Sequence, residues 1–378
     1  MKRSLVLAVL LCLGAMLLIL QRLPIAEAGT DTPPGVYKVL EPITHGNLAI
    51  YPVVTAKVHD TNGFLTLDEG IRSGEVLVTE VGKMHGMVRR PQNLRNFQGA
   101  GAEVNRLVLV NNSKRPLILL AGEVVTGGKQ DRIVGKDRIV PAESDPVDLG
   151  VFCVEPGRWV ESSSKFDTHA NVMVQPSVRK KALVDADQQK VWAEVRNSQA
   201  NLTAGVAASA PAMGSASPTG HYDFALRDLN STTSYARVQE NAVVQKQVQD
   251  IAEPLQKSFE SVIKQLRDQN AVGVVVAVKG RIIWADIFAS NSLLSKYWPK
   301  LLQSYATEAL TVTAEHGDAS LKSAQSFMDE WQSRHEVTES EPGLYRQTEM
   351  RGDTFRAFEL TSLLPKQNFD IHVSKMAE

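Results

Sequence analysis

Cysteine is nearly absent from this sequence: Cys12 and Cys153 are the two in 378 residues. No disulfide framework can hold the fold, and once a leader carrying Cys12 is removed, Cys153 has no partner even in an oxidising compartment. An excess of one charge is lacking too. The chain carries 41 basic against 42 acidic residues and a net charge of −1, so charge does not indicate a polyanion and no nucleic-acid partner is expected. The histidines, from His45 to His372, never fall four apart as zinc ligands on a helix do, which leaves a metal site unsupported. No internal repeat at solenoid periods occurs. Long apolar runs are missing as well, apart from Leu5 to Leu20, so no membrane span is expected once that run is cleaved.

That run has the makings of a Sec-type signal peptide. Lys2 and Arg3 precede it, and Ala26-Glu27-Ala28 supplies the small-x-small pattern that signal peptidase reads. Residues 1–28 are therefore expected to direct export, to a periplasm or beyond. The alternative is a retained anchor, but a span needs roughly 20 apolar residues, and Gln21, Arg22 and Pro24 interrupt this one early. Leu10-Leu11 ahead of Cys12 does not suit a lipid-attachment site. Residues 29–46 then read as an N-terminal extension, and 47–378 as a single domain long enough to bury a core.

Within that domain, short runs rich in Val, Ile and Leu, punctuated by Gly, Asn, Asp and Pro, predict strands at Leu48–Val54, Val76–Val81, Arg106–Asn111, Leu117–Leu120, Arg132–Val140 and Val147–Cys153. Thr66 and Glu69 have capping-box spacing and predict a short helix, a plain turn being the alternative. Helical spacing of apolar residues follows over Ser177–Ser198. Asn201–Gly220 is mostly Ala, Ser, Gly and Pro and is expected to be flexible, an insertion extending to about 234. Helix resumes over Tyr235–Gln269, with Pro254 placed as the first residue of a second segment. Lys279-Gly280 sits between Val272–Val278 and Arg281–Ile287 as a hairpin turn. Ser290 opens a helix, another covers Ala319–Arg334, and Gly343–Met350, Thr354–Leu360 and Phe369–Val373 are strand-like. Strands first, helices with a β-hairpin in the middle and short C-terminal strands, without regular βα alternation, predict an α+β fold.

Polar groups concentrate between Ala121 and Trp159. Ala121 to Arg132 reads AGEVVTGGKQDR. A P-loop is excluded: Gly122 is one residue too far from Gly128-Lys129, Gln130 stands where a hydroxyl would hold magnesium, and Arg132-Ile133-Val134 continues as strand. Gly127 and Gly128 would let backbone approach a ligand while Lys129, Gln130 and Arg132 offer donors. The same spacing also fits a glycine hairpin turn with solvated charges. Downstream, Pro156-Gly157 is a turn and Arg158-Trp159 sets a cation beside a ring that could stack on a base or sugar, or pack in the core. Cys153, within Val-Phe-Cys-Val, reads as a small buried residue rather than a nucleophile. Asp286, near the end of the hairpin, is a candidate polar site residue, or part of the helix entry at Ser290.

Taken together, Leu119 to Glu123, Gly127 to Arg132, Cys153 to Trp159, and Gly273 to Asp286 followed by Phe288 resemble the ADP-ribosylglycohydrolase and rhodanese-phosphatase associated protein domain, over most of the chain from about Asn47. The resemblance implies an α+β domain, and the family's name records genomic neighbours that handle ADP-ribose and NAD rather than an activity. On it, Glu123, Gly127, Gly128, Lys129, Gln130, Arg132, Glu155, Arg158 and Trp159 match motif positions, while Asp131 stands where asparagine is expected. The function expected is binding or processing of a phosphorylated small molecule. Lys129 and Arg132 would neutralise phosphate, Gln130 would read an amide or hydroxyl, Trp159 would stack, and Glu123 or Glu155 would orient the others or act as base. The alternative is a non-enzymatic envelope domain that binds another protein, motivated by export and by the lack of a complete catalytic constellation. No cofactor is indicated.

Overall fold

A computed structural model describes residues 36–83, 101–209, 219–266, 269–313 and 316–378. The expected signal peptide lies outside the described residues. All of those described belong to one compact unit, Gly35–Glu378, and its architecture is α+β.

The spine is a nine-stranded antiparallel sheet. Its centre is the predicted hairpin, Asn270–Val278 and Arg281–Phe288, which turns through Lys279 and Gly280 at φ 48° and 68°, the paired left-handed turn that matches strand twist. Leu48–Thr55 pairs with one side of this hairpin, and the C-terminal strands Gln367–Ala377, Phe355–Leu364, Tyr345–Arg351 and His335–Glu341 follow on the other. The apolar run Val274 to Val278 is buried because both faces are covered, as near-continuous hydrophobic strands require. Val274, Val276 and Val278 point into a large core under helices Ala242–Gln265 and Asn291–Thr311. Val275 and Ala277 point the opposite way, against Phe327 and Met328 of helix Leu321–Asp329.

A second, six-stranded antiparallel sheet runs in the order Asp167–Met173, Glu123–Thr126, Arg132–Val134, Val147–Cys153, Arg106–Asn111, Val76–Glu80. With a three-stranded sheet containing Leu117–Leu119 and Arg138–Val140 it encloses an aliphatic core around Leu107, Leu117 and Val134. The Thr66–Glu69 capping box forms as predicted.

Several expectations differ from what is observed. Residues 38–45, expected as an extension, supply two short strands that pair with Leu48–Thr55. The helix expected over Ser177–Ser198 is broken into Pro176–Lys180, a π-helical turn at Lys181–Asp185, left-handed Ala186 at φ 47°, and a new helix at Gln188. Asp187 restarts the chain there by accepting a hydrogen bond from the Lys190 amide at 3.0 Å. That new helix runs to Ser209, through part of the stretch expected to be flexible, because its buried stripe of Val191, Val195, Ser198, Leu202 and Val206 continues at helical spacing. Thr219–Ser231 is helical too. Pro254 lies inside Ala242–Gln265 rather than starting a segment; the break falls at Asn241, whose side chain caps Val243 and Val244. Arg132–Val140 is two strands, interrupted at Gly135. The edge strand His335–Glu341 was not expected: all seven of its residues are exposed, so it carries no alternation to detect.

Candidate functional site

The polar segment begins at a tight turn between two sheets. Gly122 adopts φ +89°, and a Cβ there would lie 2.6 Å from Cγ of Arg179, so the backbone must pass flush against that side chain. Glu123, which follows, faces inward and is 1 % exposed. Its carboxylate accepts from the Leu120 amide at 2.8 Å and from Lys300 Nζ at 2.8 Å, and Lys300 also pairs with Asp68. Burial raises the Glu123 pKa. Burial acts to lower that of Lys300, but the carboxylates of Glu123 and Asp68 outweigh it and hold the ammonium charged.

One turn of chain away lies a second buried network. Asp286, fully buried in mid-strand, accepts from Arg179 through both oxygens at 2.9 and 3.1 Å, from Ser374 at 3.1 Å and from Tyr305. His372 bridges Asp286 at 3.1 Å and Asp137 at 2.6 Å through its two ring nitrogens. Asp137 in turn accepts from the Ala121 amide at 2.7 Å, and Arg179 Nε donates to the Ala121 carbonyl at 3.2 Å. Burial acts to raise the Asp286 pKa, yet Arg179 and His372 hold it far below the carboxylate range. Burial likewise opposes the charge on His372, but Asp137 and Asp286 push its pKa up to about 9.

The glycine-containing stretch is the loop of a hairpin between Glu123–Thr126 and Arg132–Val134. It is tied down from behind. Arg158 donates to Glu155 through Nε at 2.8 Å, to Asp131 at 3.2 Å and to the carbonyls of Gly128 and Val160 at 3.0 and 2.9 Å. Asp131 N donates to the Glu155 carboxylate at 2.9 Å, and Ser234 donates to Asp131 at 2.7 Å. Burial and then the neighbouring Glu155 raise the Asp131 pKa, while the bond to Glu155 raises that of Arg158. Gln130 donates to the Glu155 carbonyl at 2.9 Å. Lys129 N donates to Glu80 at 2.9 Å, and Gly128 at φ +50° has no room for a Cβ, which would sit 2.3 Å from the Phe166 ring.

The chain belongs to the ARG and Rhodanese-Phosphatase-superfamily-associated Protein domain family. The match covers residues 36–376, more than nine-tenths of the described fold and both networks. No curated protein and no solved structure matches the chain.

The residues singled out on family resemblance thus occupy different surroundings. Gly127, Gly128, Lys129, Gln130, Glu155, Arg158 and Trp159 come together around one loop. Arg132 extends inward from it: it is fully buried, with its guanidinium on the carbonyls of Val104, Glu103 and Asp131. Glu123 bonds to a separate set of partners with Lys300. Trp159 is 45 % exposed, and Lys129 Nζ lies 4.9 Å from its ring centroid. Cys153 is buried, and burial raises the pKa of its thiol. The sequence reading missed Glu80, Arg179, Ser234, Lys300 and His372. Each is isolated in the sequence from the segment it serves, and the strand Gln367–Ala377 that carries His372 mixes polar and apolar residues, so its pattern does not mark that histidine out. Among the described residues no cluster of three His, Cys, Asp or Glu side chains suits a metal ion, and no helix is long and apolar enough to cross a membrane.

Proposed function

We propose that this exported domain binds a phosphorylated small molecule that also carries a flat ring, at the rim formed by Lys129 and Trp159. The observation that carries this reading is the Lys129–Trp159 pair. Lys129 forms no ion pair among the described residues, and its ammonium lies over a half-exposed indole. A phosphate could take the cation while the ring of the same ligand stacks on the tryptophan. The loop beneath is held by Arg158, Glu155, Asp131 and Ser234, so little ordering entropy remains to be lost on binding. Family membership supports an ADP-ribose-like ligand through its association with such enzymes. Binding is favoured over turnover because Glu155 and Glu123, the two candidate bases, are both committed to internal hydrogen bonds.

Calorimetric titration with ADP-ribose and with NAD tests this. Saturable heat is expected for at least one, weakened at least ten-fold in a Lys129→Ala, Trp159→Ala double variant that melts like the parent. Absence of heat with both ligands removes the reading. A second reading, docking of an envelope protein, is favoured by the adjacent exposure of Trp159 and Val160, 45 % and 72 %. Recovery of one stoichiometric partner that is lost with Trp159→Ser, Val160→Ser would select it. Export itself is checked by the N-terminal sequence of protein recovered outside the cytoplasm, expected to begin at Gly29.

A further inference from the structure

A cleft of about 440 Å³ lies between the two large sheets, well away from the Lys129–Trp159 rim, and falls within the size range of small-molecule sites. One wall is a single face of the C-terminal strands. Val337 and Phe358 both stand opposite Glu349, and Glu339 stands opposite Gln347, so the twofold alternation of strands turns all five toward the cleft. The facing wall is Gly150 to Phe152 and the Gly135-Lys136 turn. Its third side is the π-helical turn, which presents Ala182, Leu183 and the left-handed Ala186. Such π turns recur at functional sites because they widen the helix against its own packing.

Two details distinguish this cleft from a packing defect. Gln347 is 8 % exposed, lines the cleft, and its amide nitrogen has no hydrogen-bond partner. Buried donors in native proteins are nearly always paired, and leaving one unmet is costly. The remaining lining is chiefly apolar: Phe152, Leu183, Val337 and Phe358 offer ring and aliphatic surface. Lys136 and Glu339 close part of the mouth with an ion pair at 2.6 Å, which satisfies those charges between themselves.

We propose that this cleft binds a small aromatic molecule carrying a carbonyl-type acceptor, its ring between Phe152, Leu183, Val337 and Phe358 and its oxygen on the Gln347 amide. The site is independent of the rim at Lys129 and does not rest on the function proposed there. An acceptor without charge fits best, since Lys136 is already paired and Glu349, held by Arg356 at 3.4 Å, would repel an anion.

The test uses two probes of similar size, acetophenone and isopropylbenzene, in which the carbonyl oxygen of the first is replaced by a methyl group on a saturated carbon in the second. They are titrated into the full chain while the nuclear magnetic resonance signals of Gly150, Ala182 and Val337 are followed. Saturable shifts are expected with both, acetophenone binding about five-fold more tightly, the value of one net hydrogen bond. Gln347→Leu should erase that preference and leave isopropylbenzene binding unchanged. Gly150→Leu should abolish both, because a Cβ at Gly150 meets nothing within 4 Å and the side chain enters the cleft without disturbing the fold. Unsaturable shifts, equal affinity for the two probes, or unchanged binding in a folded Gly150→Leu variant would each overturn the proposal.

Discussion

His372 offers the most discriminating test of the buried charge network. Its ring is fully enclosed and bridges Asp137 and Asp286, and with a folded pKa near 9 it is an imidazolium at neutral pH. In the unfolded chain it titrates near 6.5. A group whose pKa is raised on folding stabilises fully below the unfolded value, and that stabilisation is lost as pH rises through the folded one. The shift of about 2.5 units corresponds to roughly 3 kcal/mol, present at pH 6 and nearly gone by pH 10. Asp286 has the opposite dependence: its depressed pKa stabilises above about pH 4 and is lost on acidification below that. The network is therefore strongest between about pH 4 and 6.5. Urea unfolding of the parent and of His372→Gln, from pH 6 to pH 10, isolates the histidine. The gap between the two stabilities should shrink by about 3 kcal/mol over that range at constant m-value. Parallel stability curves would show that His372 is neutral in the fold, and the account of the network would fail.

Removing Lys300 should be as damaging as its burial suggests. Lys300→Met leaves Glu123 and Asp68 facing each other without a cation, at an expected cost of about 3–5 kcal/mol, and adding Glu123→Gln should restore part of it if charge rather than packing is responsible. Gly128→Ala places a methyl against the Phe166 ring in a left-handed backbone and should destabilise by about 2–4 kcal/mol; a neutral effect in thermal unfolding would contradict the observed turn. Pro254→Ala should instead stabilise by about 1–3 kcal/mol, since it returns an amide to an unbroken 24-residue helix, and a lowered Tm would refute that.

The fold was legible wherever one short window carried its own reason. The Lys279-Gly280 hairpin, the Thr66–Glu69 box and the strands at Arg106–Asn111 and Val147–Cys153 each combine a turn or cap residue with apolar patterning inside a few positions. Failures came where composition and burial disagreed. Asn201 to Ser209 looks like linker by its alanines and serines, yet Leu202 and Val206 continue a buried stripe begun at Val191. Pro254 is a strong local breaker, overridden by the packing of Leu255 and Phe259 against the central sheet. The candidate loop was visible as a dense polar run, but its partners were not. Arg179, His372 and Lys300 reach the segment from 58, 235 and 177 positions away, and no spacing rule connects residues at those separations.

That separation divides the polar segment into two kinds of residue. From Ala121 to Glu123 every polar group is turned inward: the Ala121 amide and carbonyl hold Asp137 and Arg179, and Glu123 holds Lys300. These contacts join the six-stranded sheet to the strand and helix of the central layer that carry Asp286 and Lys300. From Gly127 to Asp131 the bonds run to Glu80, Glu155, Arg158 and Ser234 behind the loop, and Lys129 and Trp159 rest on that fixed base at its outer edge. A variant at Glu123 or Arg132 would thus lose affinity by loosening the fold and could not distinguish a ligand contact from a structural one. Lys129 and Trp159 can make that distinction, because their removal strands no buried charge: loss of binding there with an unchanged melting curve can come only from the ligand.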